Sequence, residues 1–494
     1  MNTEYLKLPN VKSNNMLDAV KKQLHRLTDN EKKALYEKLQ GQLKNKTRMD
    51  ENSGSLSHAQ QRLWILHQLN HCQYLYHVPL IMTVPQALDS NLLEHTLTHL
   101  VQKHSVLAAN FIFEEDAIVQ RYADALSLTI HHLTLDIDLA EVVEVAQNPV
   151  LSEFFLAPFT LESAPLFRVA LLNTPQKNYL LFCFHHLIID GWSIPLFLAE
   201  LQHQYSMLQQ QKAELAVIAS NQYAEFVAWE KTQHHSNEAL DYWMHRLTNK
   251  ALVVDIVTDF PRSVTRTGQG NTCYAQISGE RVSLLNEYAQ YLGVSLNQLV
   301  LFAFQFMLAR YSDQEEITLG IPVAGRTHKR WQQTIGMFVN TCLHTITINY
   351  DATIEQQIRE GKQHLFEDLA HSNQPFDELV KQLHAHKQIE GTEIFNILYN
   401  FIQFENDKQS FSIADGVCKT LYCILPTSKF DLSLNAYAML NQLDLMLEFS
   451  TDLYQEQTVQ QMLQYLLAIL NQLPASPAVT LKQLSINTVK ECMQ

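Results

Sequence analysis

The hydrophobic residues of this chain follow two periods, one typical of helices and one typical of strands. In the first half, the pattern predicts helices at residues 59–69, 91–102 and 195–211, and strands at 80–84, 108–113 and 179–186. From residue 280 onward, it predicts helices at 283–292 and 296–311, and strands at 317–321, 431–437 and 443–449. Such alternation is typical of layered α/β folds, so we expect two lobes of similar size, 51–230 and 231–494.

Residues 1–50 carry a separate helical pattern. One set of apolar positions includes Leu17, Val20 and Leu24, and a second includes Leu35 and Leu39. A polar stretch at 44–57 separates this pattern from the rest of the chain, which makes 1–50 an N-terminal helical appendage. Short amphipathic helices are marginal in isolation, so these must pack either on this chain or on a docking partner, and both alternatives stay open.

Composition narrows the class of protein. The chain has 494 residues, 46% of them hydrophobic and 18% charged, which suffices for a large core. A net charge of −15 without clustered Lys and Arg argues against a nucleic-acid partner. The seven cysteines lack CxxC spacing, so we expect a reducing compartment and neither a zinc site nor a disulfide framework.

The N-terminus is too polar for a signal peptide, and no run of about 18 apolar residues suggests a membrane span. We therefore expect a cytoplasmic protein without a membrane partner.

One segment combines strand, turn and helix signals with chemistry. The apolar run at 179–184 ends in His185 and His186, and the turn residues Asp190 and Gly191 precede a predicted helix that Ser193 can cap. Catalytic groups are often found on such loops, and a histidine near its unperturbed pKa can exchange protons at neutral pH. This segment is therefore a candidate active site.

The spacing of these residues is not specific by itself. His131, His132 and Asp136 reproduce the same HHxxxD pattern, and His234 and His235 form a further pair. The first copy lacks the Gly-Trp continuation that follows Asp190. Additional segments are needed to distinguish the candidate site from its copy.

Seven ordered segments resemble motifs of the condensation domains of nonribosomal peptide synthetases. HHLIIDGWS at 185–193 is similar to the HHxxxDG hallmark of that family, and the other six are SHAQQRLW at 57–64, YAEFVAW at 223–229, GIPVAGR at 320–326, IGMFVNT at 335–341, HSNQPFDEL at 371–379 and SKFDLSL at 428–434. The resemblance spans residues 55–485. It departs at 103–111, KHSVLAANF, where the family pattern R-H-E-x-L-R-T-x-F carries two arginines and a glutamate.

The resemblance implies a fold and a reaction. The fold would be α/β, with two chloramphenicol-acetyltransferase-like lobes that form a V-shaped pseudodimer around a central tunnel. The activity would be that of an acyltransferase in antibiotic-type secondary metabolism, in which an acceptor amine attacks a carrier-bound acyl thioester to form a peptide bond. Epimerisation and a non-catalytic recruiting role remain alternatives, whereas heterocyclisation is disfavoured because that branch replaces the histidines with Asp.

The same resemblance implies the partners of the chain. Donor and acceptor peptidyl carrier proteins, within other synthetase modules, would present their substrates on phosphopantetheine arms. The chain would therefore bind no cofactor and no metal of its own, and we expect a monomer.

Residue roles follow from the matching motif positions. His186 would be catalytic, as a base for the acceptor amine, as a group that orients it, or as a stabiliser of the tetrahedral intermediate. His185 would be a supporting residue, held by a hydrogen bond behind His186, with a structural rather than a catalytic role. Asp190 could pair with the guanidinium of Arg62 or Arg326 and hold the loop in place.

Two further residues keep alternative interpretations. Gly191 could allow close backbone approach and offer its amide to an oxyanion, or it could be a plain turn glycine. Asn340 could line the tunnel or order a loop. Outside these, we expect Trp192 and Phe376 to pack and His371 to be a hydrogen-bonded turn residue.

Overall fold

The structure, a computed structural model, describes twelve stretches of the chain: 53–69, 72–114, 117–123, 126, 128–210, 222–233, 237–263, 266–385, 394–404, 410–414, 416–475 and 479–484. The helical pattern of residues 1–50 and the pair His234 and His235 lie outside the described residues. The described residues form two compact units. The first contains those up to 233 together with 326–338 and 410–425, and the second contains the remainder.

The two units differ from the predicted lobes in two segments. The predicted cut at 230 lies close to the end of the first long stretch of unit one, but residues 326–338 and 410–425 also belong to that unit. A single boundary along the sequence cannot represent a chain that returns twice to its first unit. The first return matters for the candidate site, as described below.

The first unit contains one large mixed sheet and one small sheet. Its strands are β1 (Ser53–Gly54), β2 (His77–Val84), β3 (Ala109–Glu114), β4 (Ala117–Tyr122), β5 (Ile130–Thr134), β6 (Val142–Glu144), β7 (Phe167–Asn173), β8 (Asn178–His185), β13 (Ser410–Ile413) and β14 (Gly416–Ile424). The large sheet has the order β13-β14-β2-β8-β7-β5, with β6 paired to β14, while β1, β4 and β3 form a small sheet. Its helices are α1 (His58–Leu69), α2 (Ser90–Lys103), α3 (Pro149–Leu156), α4 (Ser193–Gln209) and α5 (Gln222–Thr232).

Strand β8 is apolar on both faces because both faces of the sheet are covered there. Leu181 and Cys183 pack into the cluster that contains Phe155 of α3. On the opposite face, Phe182 and Phe184 each meet the ring of Phe197 in α4 edge-on at 5.3 Å. The candidate site therefore begins at the end of an interior strand that is buried from Tyr179 to His185.

The second unit has a six-stranded sheet of order β11-β10-β12-β15-β16-β9. Its strands are β9 (Gly270–Ser278), β10 (Glu316–Val323), β11 (Asn340–Thr347), β12 (Ile397–Gln403), β15 (Leu432–Met439) and β16 (Gln442–Ser450). Its helices are α6 (Asn237–Leu247), α7 (Glu280–Leu292), α8 (Leu296–Ser312), α9 (Ile354–Ala370), α10 (Phe376–Ala385) and α11 (Glu456–Gln472). Helix α8 is buried almost throughout and starts at a capping box formed by Ser295 and Gln298.

No single helix in the described part of the chain is long and apolar enough to cross a membrane. Helices α7 and α8 pass that test only when they are taken together as a pair bent by 97°, and α8 lies in the core of its unit.

From residue 58 onward, the helices and strands predicted from periodicity are all observed, with ends that differ by at most three residues. Among the elements that the pattern missed are β5 and β14 in the first unit and α9 and α11 in the second.

Candidate functional site

The candidate site is the loop between β8 and α4, and its backbone is anchored from its first residue. His185, at the end of β8, donates its amide hydrogen to the carbonyl oxygen of Leu166 at 2.8 Å. The next amide, that of His186, donates to the carbonyl oxygen of Tyr76 at 2.9 Å. Ile188 closes the turn by donating to the carbonyl oxygen of His185 at 3.1 Å. The position of His186 is thus fixed through its neighbours on β8 and before β2.

The two histidines of the motif have different surroundings. The side chain of His185 is fully buried, whereas His186 is half-buried. The Nδ1 atom of His185 accepts the amide hydrogen of Leu187 at 3.2 Å, and its Nε2 atom lies 3.3 Å from Nδ1 of His67. The structure therefore buries His185 among hydrogen-bonding groups and leaves His186 as the more accessible imidazole.

Asp190 lies at the centre of a buried hydrogen-bond network. Its Oδ1 atom accepts from the amide of Ser193 at 2.8 Å and lies 2.6 Å from the Ser193 hydroxyl. Its Oδ2 atom accepts from the amide of Phe338 at 3.0 Å, and Arg326 donates to Oδ1 at 3.1 Å. The side chains of Asp190 and Arg326 are each only 2% exposed. Buried ions need such pairing because their desolvation is costly.

Arg326 connects this loop to residues 326–338, the first segment in which the chain returns to its first unit. Its Nη1 atom donates to the carbonyl oxygens of Trp331 and Thr334 at 2.7 and 2.6 Å, and its guanidinium stacks 3.9 Å above the ring of Phe338. Burial lowers the pKa of this guanidinium from its ordinary value, and the Asp190 carboxylate opposes that shift. Of the two arginines predicted as partners of Asp190, Arg326 makes the ion pair; Arg62 lies half-buried in α1.

The predicted cap of α4 is wrong. The helix begins at Ser193, so its N-cap residue is Trp192. The side chain of Trp192 makes no capping hydrogen bond. Asp190 accepts from the amide of Ser193 instead, while the Ser193 hydroxyl accepts from Gly336 at 3.1 Å and from Arg326 at 2.8 Å. Ser193 therefore joins the loop to the chain return rather than capping a helix.

Gly191 does not mark a close approach within the described residues. A Cβ atom at this position would meet nothing within 4 Å, and its backbone does not adopt a positive φ. No described part of this chain therefore approaches the backbone of Gly191 so closely that a glycine is needed there. Trp192, which was expected to pack, is 51% exposed and donates its indole hydrogen to the carbonyl oxygen of Gln332 at 3.1 Å.

Motifs that are distant in sequence meet around this loop. Gln60 of α1 donates to the carbonyl oxygen of Leu187 at 2.9 Å. The hydroxyl of Tyr223 in α5 donates to the carbonyl oxygen of Met337 at 2.6 Å and lies 3.0 Å from the hydroxyl of Ser57. Gln60 stands in the motif SHAQQRLW and Tyr223 in YAEFVAW, but nothing in the sequence distinguishes them from the other residues of those motifs. A polar residue shows such a role only when its burial is known.

Asn340 belongs to the second unit, where it orders a loop. Its Nδ2 atom donates to the carbonyl oxygens of Ser372 and Gln374 at 3.0 and 2.8 Å, and its Oδ1 atom accepts the amide hydrogen of Phe376 at 3.2 Å. This amide therefore fixes the start of α10. Phe376 is buried, and His371 bonds through Nδ1 to the carbonyl oxygen of Glu367 at 2.8 Å, as expected for a core residue and a hydrogen-bonded turn residue.

Within the stretches that the structure describes, no group of three or more His, Cys, Asp or Glu side chains is arranged to hold a metal ion. The candidate site is assembled from imidazole, carboxylate, guanidinium and backbone groups.

Comparison with known proteins places this site in a family context. A family model described as "Condensation domain" matches residues 50–492. A linear gramicidin synthase of Brevibacillus parabrevis is 31% identical over 430 residues, which cover 85% of this chain and 8% of that protein. Tyrocidine synthase 2 of the same organism is 29% identical over 443 residues, which cover 88% of this chain and 12% of that protein. The chain thus spans about a tenth of the length of these curated relatives.

Solved structures share the fold. The starter condensation domain of rhizomide synthetase, as a mutant in complex with C8-CoA, matches with a TM-score of 0.75 at 19% identity, over 87% of this chain and 97% of that one. The X-domain from teicoplanin biosynthesis matches with a TM-score of 0.75 at 17% identity, over 90% of this chain and 99% of that one. The expected chloramphenicol-acetyltransferase-like α/β fold class is confirmed by these matches.

Proposed function

We propose that this chain, which belongs to the condensation domain family, forms an amide bond between an acceptor amine and a donor acyl group held as a thioester on a carrier protein. The observation that carries the proposal is the complete loop at 185–193. Both histidines are in place, and Asp190 is held within the buried network with Ser193, Arg326 and Phe338. This loop supports the proposal because a catalytic imidazole must be held in one place.

The proposed reaction is an acyl transfer. The nitrogen of the acceptor amine attacks the thioester carbonyl carbon, and a carbon–nitrogen bond forms as the carbonyl oxygen becomes an oxyanion. The oxyanion then collapses, the carbon–sulfur bond breaks, and the thiol of the donor carrier leaves with the proton that the amine has lost. Atoms and charge therefore balance without an oxidant, a metal or a nucleotide.

His186 is the residue for which we propose a direct role. A neutral imidazole there can accept the amine proton, orient the amine by a hydrogen bond, or donate to the oxyanion once it is protonated. Because an amine near pH 8 already has a substantial neutral fraction, orientation by itself can account for much of the rate. All three roles need the ring to be held in one place, which the anchors on Tyr76 and His185 support.

The partners in this proposal are two carrier proteins, one for the donor and one for the acceptor, each with a phosphopantetheine arm. The relatives are long synthetases of which this chain matches a small part, so neighbouring modules would supply those carriers. We propose that the chain itself binds no cofactor and acts in the cytoplasm.

A direct assay tests the function. The protein is mixed with one carrier loaded with an aminoacyl donor and another loaded with an aminoacyl acceptor, and mass spectrometry of the acceptor carrier records the dipeptidyl thioester. We expect the wild-type chain to form the dipeptidyl thioester and His186→Ala to form it at least about 100-fold more slowly. Removal of a general base or of a hydrogen-bond donor to an oxyanion has an effect of this size.

The control uses the second HHxxxD copy. His132→Ala changes the second histidine of that copy and should leave the yield of dipeptidyl thioester unchanged. A His186→Ala variant that folds and keeps its yield would overturn the assignment of His186. Solvent deuterium at Cα of a loaded residue without a new amide would instead indicate epimerisation, and binding of carriers without either product would indicate a recruiting role.

A further inference from the structure

The ring of His185, at the start of the candidate loop, belongs to a cluster of three imidazoles, and the proposed reaction uses none of the three directly. The ring of His185 meets that of His67 from α1 at a centroid distance of 5.0 Å and that of His77 from β2 at 6.4 Å. The phenyl ring of Phe159 completes the surroundings at 6.2 Å from His185. His77 and His185 are direct cross-strand partners, so the strand register of β2 and β8 brings them together.

The hydrogen bonds around His185 fix its tautomer. A backbone amide can only donate, so Nδ1 of His185 carries no hydrogen where it accepts from Leu187 at 3.2 Å. In a neutral ring, the hydrogen then resides on Nε2, which faces Nδ1 of His67 at 3.3 Å. It follows that His67 accepts through Nδ1 and that its own hydrogen is on Nε2.

His77 stays neutral on the other side of His185. Its Nδ1 atom lies 2.7 Å from the carbonyl oxygen of Phe155, and a carbonyl can only accept, so this nitrogen carries the hydrogen. Burial lowers the pKa of His77 to about 4, and the nearby Arg168 guanidinium also acts to lower it. The neighbour of His185 on this side therefore carries no charge at neutral pH.

The tautomer of His185 matters because of the bond to Leu187. That residue follows His186 directly, and its carbonyl oxygen is in turn held by Gln60 at 2.9 Å. If the hydrogen of His185 moved to Nδ1, it would point at the Leu187 amide hydrogen, and the bond would be lost. The backbone after His186 would then be held to His185 only by the bond from the Ile188 amide to the His185 carbonyl oxygen, without the second bond from the Leu187 amide.

We propose that His67 is a positioning residue for His186, because it accepts the Nε2 hydrogen of His185 and so keeps the His185 Nδ1 atom able to accept from the Leu187 amide. This inference rests on the proposed function of His186, but its physical content, the tautomer of His185, can be measured separately. His67 itself touches no reacting atom in this scheme.

The first test compares two substitutions at residue 67 in the carrier assay. His67→Leu removes the acceptor and should lower kcat about 10- to 100-fold, in line with the cost of misplacing a reacting group. The KM for the acceptor carrier should change little, because carrier binding is not affected. His67→Asn places an amide oxygen near the former Nδ1 position and should restore most of kcat.

The matched control is His95→Leu. His95 is also a helix histidine that bonds another imidazole, through Nε2 to Nε2 of His99 at 2.8 Å, but this bond is exposed on α2. This variant should have wild-type kcat and KM. If His67→Leu fails to fold, His67→Ala beside His67→Asn provides the same comparison with a smaller change in packing.

The second test does not depend on catalysis. Selective ¹⁵N-histidine labelling and long-range ¹⁵N–¹H correlation spectra at neutral pH report which ring nitrogen carries hydrogen, and a His185→Gln variant identifies the signals. We expect His185 to have hydrogen on Nε2 and none on Nδ1 in the wild type and in His67→Asn, and a mixture of tautomers in His67→Leu.

The two readouts separate the two hypotheses. A wild-type chain that forms no amide but shows the expected tautomer, altered in His67→Leu, contradicts the proposed function and leaves the inference about His185 standing. A His67→Leu variant with wild-type kcat, or with an unchanged tautomer, overturns the role of His67.

Discussion

The same HHxxxD spacing, two histidines followed by an aspartate, occurs twice in one sheet of the first unit. One copy, at 131–136, is carried by β5, which is the edge strand of the sheet. The other, at 185–190, begins at the end of β8, which pairs with β2 on one side and β7 on the other. Strand β7 lies between the strands that carry the two copies.

Their environments are opposite. His131, His132 and Asp136 are exposed, whereas His185 and Asp190 are buried to 0% and 2% exposure. The buried copy also receives partners from elsewhere in the chain, among them Arg326 and Phe338. Spacing thus places side chains at a strand end, while sheet position and distant partners decide whether they form a site.

The largest effect on stability is expected at the two aspartates. Asp190→Ala leaves the buried Arg326 guanidinium without its carboxylate, and breaking such a pair costs about 3–5 kcal/mol. Asp136→Ala changes an exposed residue and should stay within about 0.5 kcal/mol of the wild type. Urea-induced unfolding followed by tryptophan fluorescence measures both. Equal free energies of unfolding for the two variants would contradict the structural difference between the copies.

An intermediate effect is expected from pH. The pKa of His77 is about 4 in the folded chain and its ordinary value is 6.5, so between these values the unfolded chain binds more protons. The free energy of unfolding should therefore fall as pH falls from 6.5 towards 4, by about 1.5 kcal/mol between pH 6.5 and 5 for this residue. His104, whose pKa burial also lowers to about 4, adds a fall of the same sign.

His77→Asn tests this contribution because the amide can still donate to the Phe155 carbonyl but does not titrate. We expect the loss of stability on acidification to be smaller in this variant than in the wild type. Unfolding curves at pH 7, 6 and 5 decide the matter. A His77→Asn curve parallel to that of the wild type would show that His77 does not titrate as the structure implies.

The smallest effect is expected at the residue after the aspartate, where the exposed copy has Ile137 and the buried copy has Gly191. Because a Cβ at residue 191 meets nothing within 4 Å, Gly191→Ala should change the free energy of unfolding by less than about 0.5 kcal/mol.

Gly336→Ala is the contrasting control, since its Cβ would overlap the ring of Tyr223 and should cost about 1–3 kcal/mol. Both free energies come from the same urea titrations. A comparable loss in Gly191→Ala would make Gly191 a structural glycine after all.

Much of the fold could be predicted from the sequence because periodicity is a local property. Strand β8 and helix α8 are long apolar runs, and their ends were predicted within a few residues. The missed strand β14 shows the limit. Its residues alternate weakly, and it becomes a strand by pairing with β2 from more than 300 positions earlier in the chain.

The candidate site divides in the same way. The ordered motifs identified the loop at 185–193 and named Arg326 as a possible partner of Asp190, but they equally allowed Arg62. The local turn and helix signals predicted Ser193 as a helix cap, whereas in the structure its hydroxyl accepts from the amide of Gly336. His67 carried no signal at all, because nothing in the sequence around it shows that it faces His185.

The sequence by itself therefore determined the family, the α/β class, and the segment that carries the candidate chemistry, since these depend on composition, local period and motif order. Tertiary structure alone decided which HHxxxD copy is buried, which arginine neutralises Asp190 and which imidazole supports His185. Each of those depends on burial and on contacts between residues far apart in the chain, and the free energy of burying a charge or an imidazole is set by those distant neighbours.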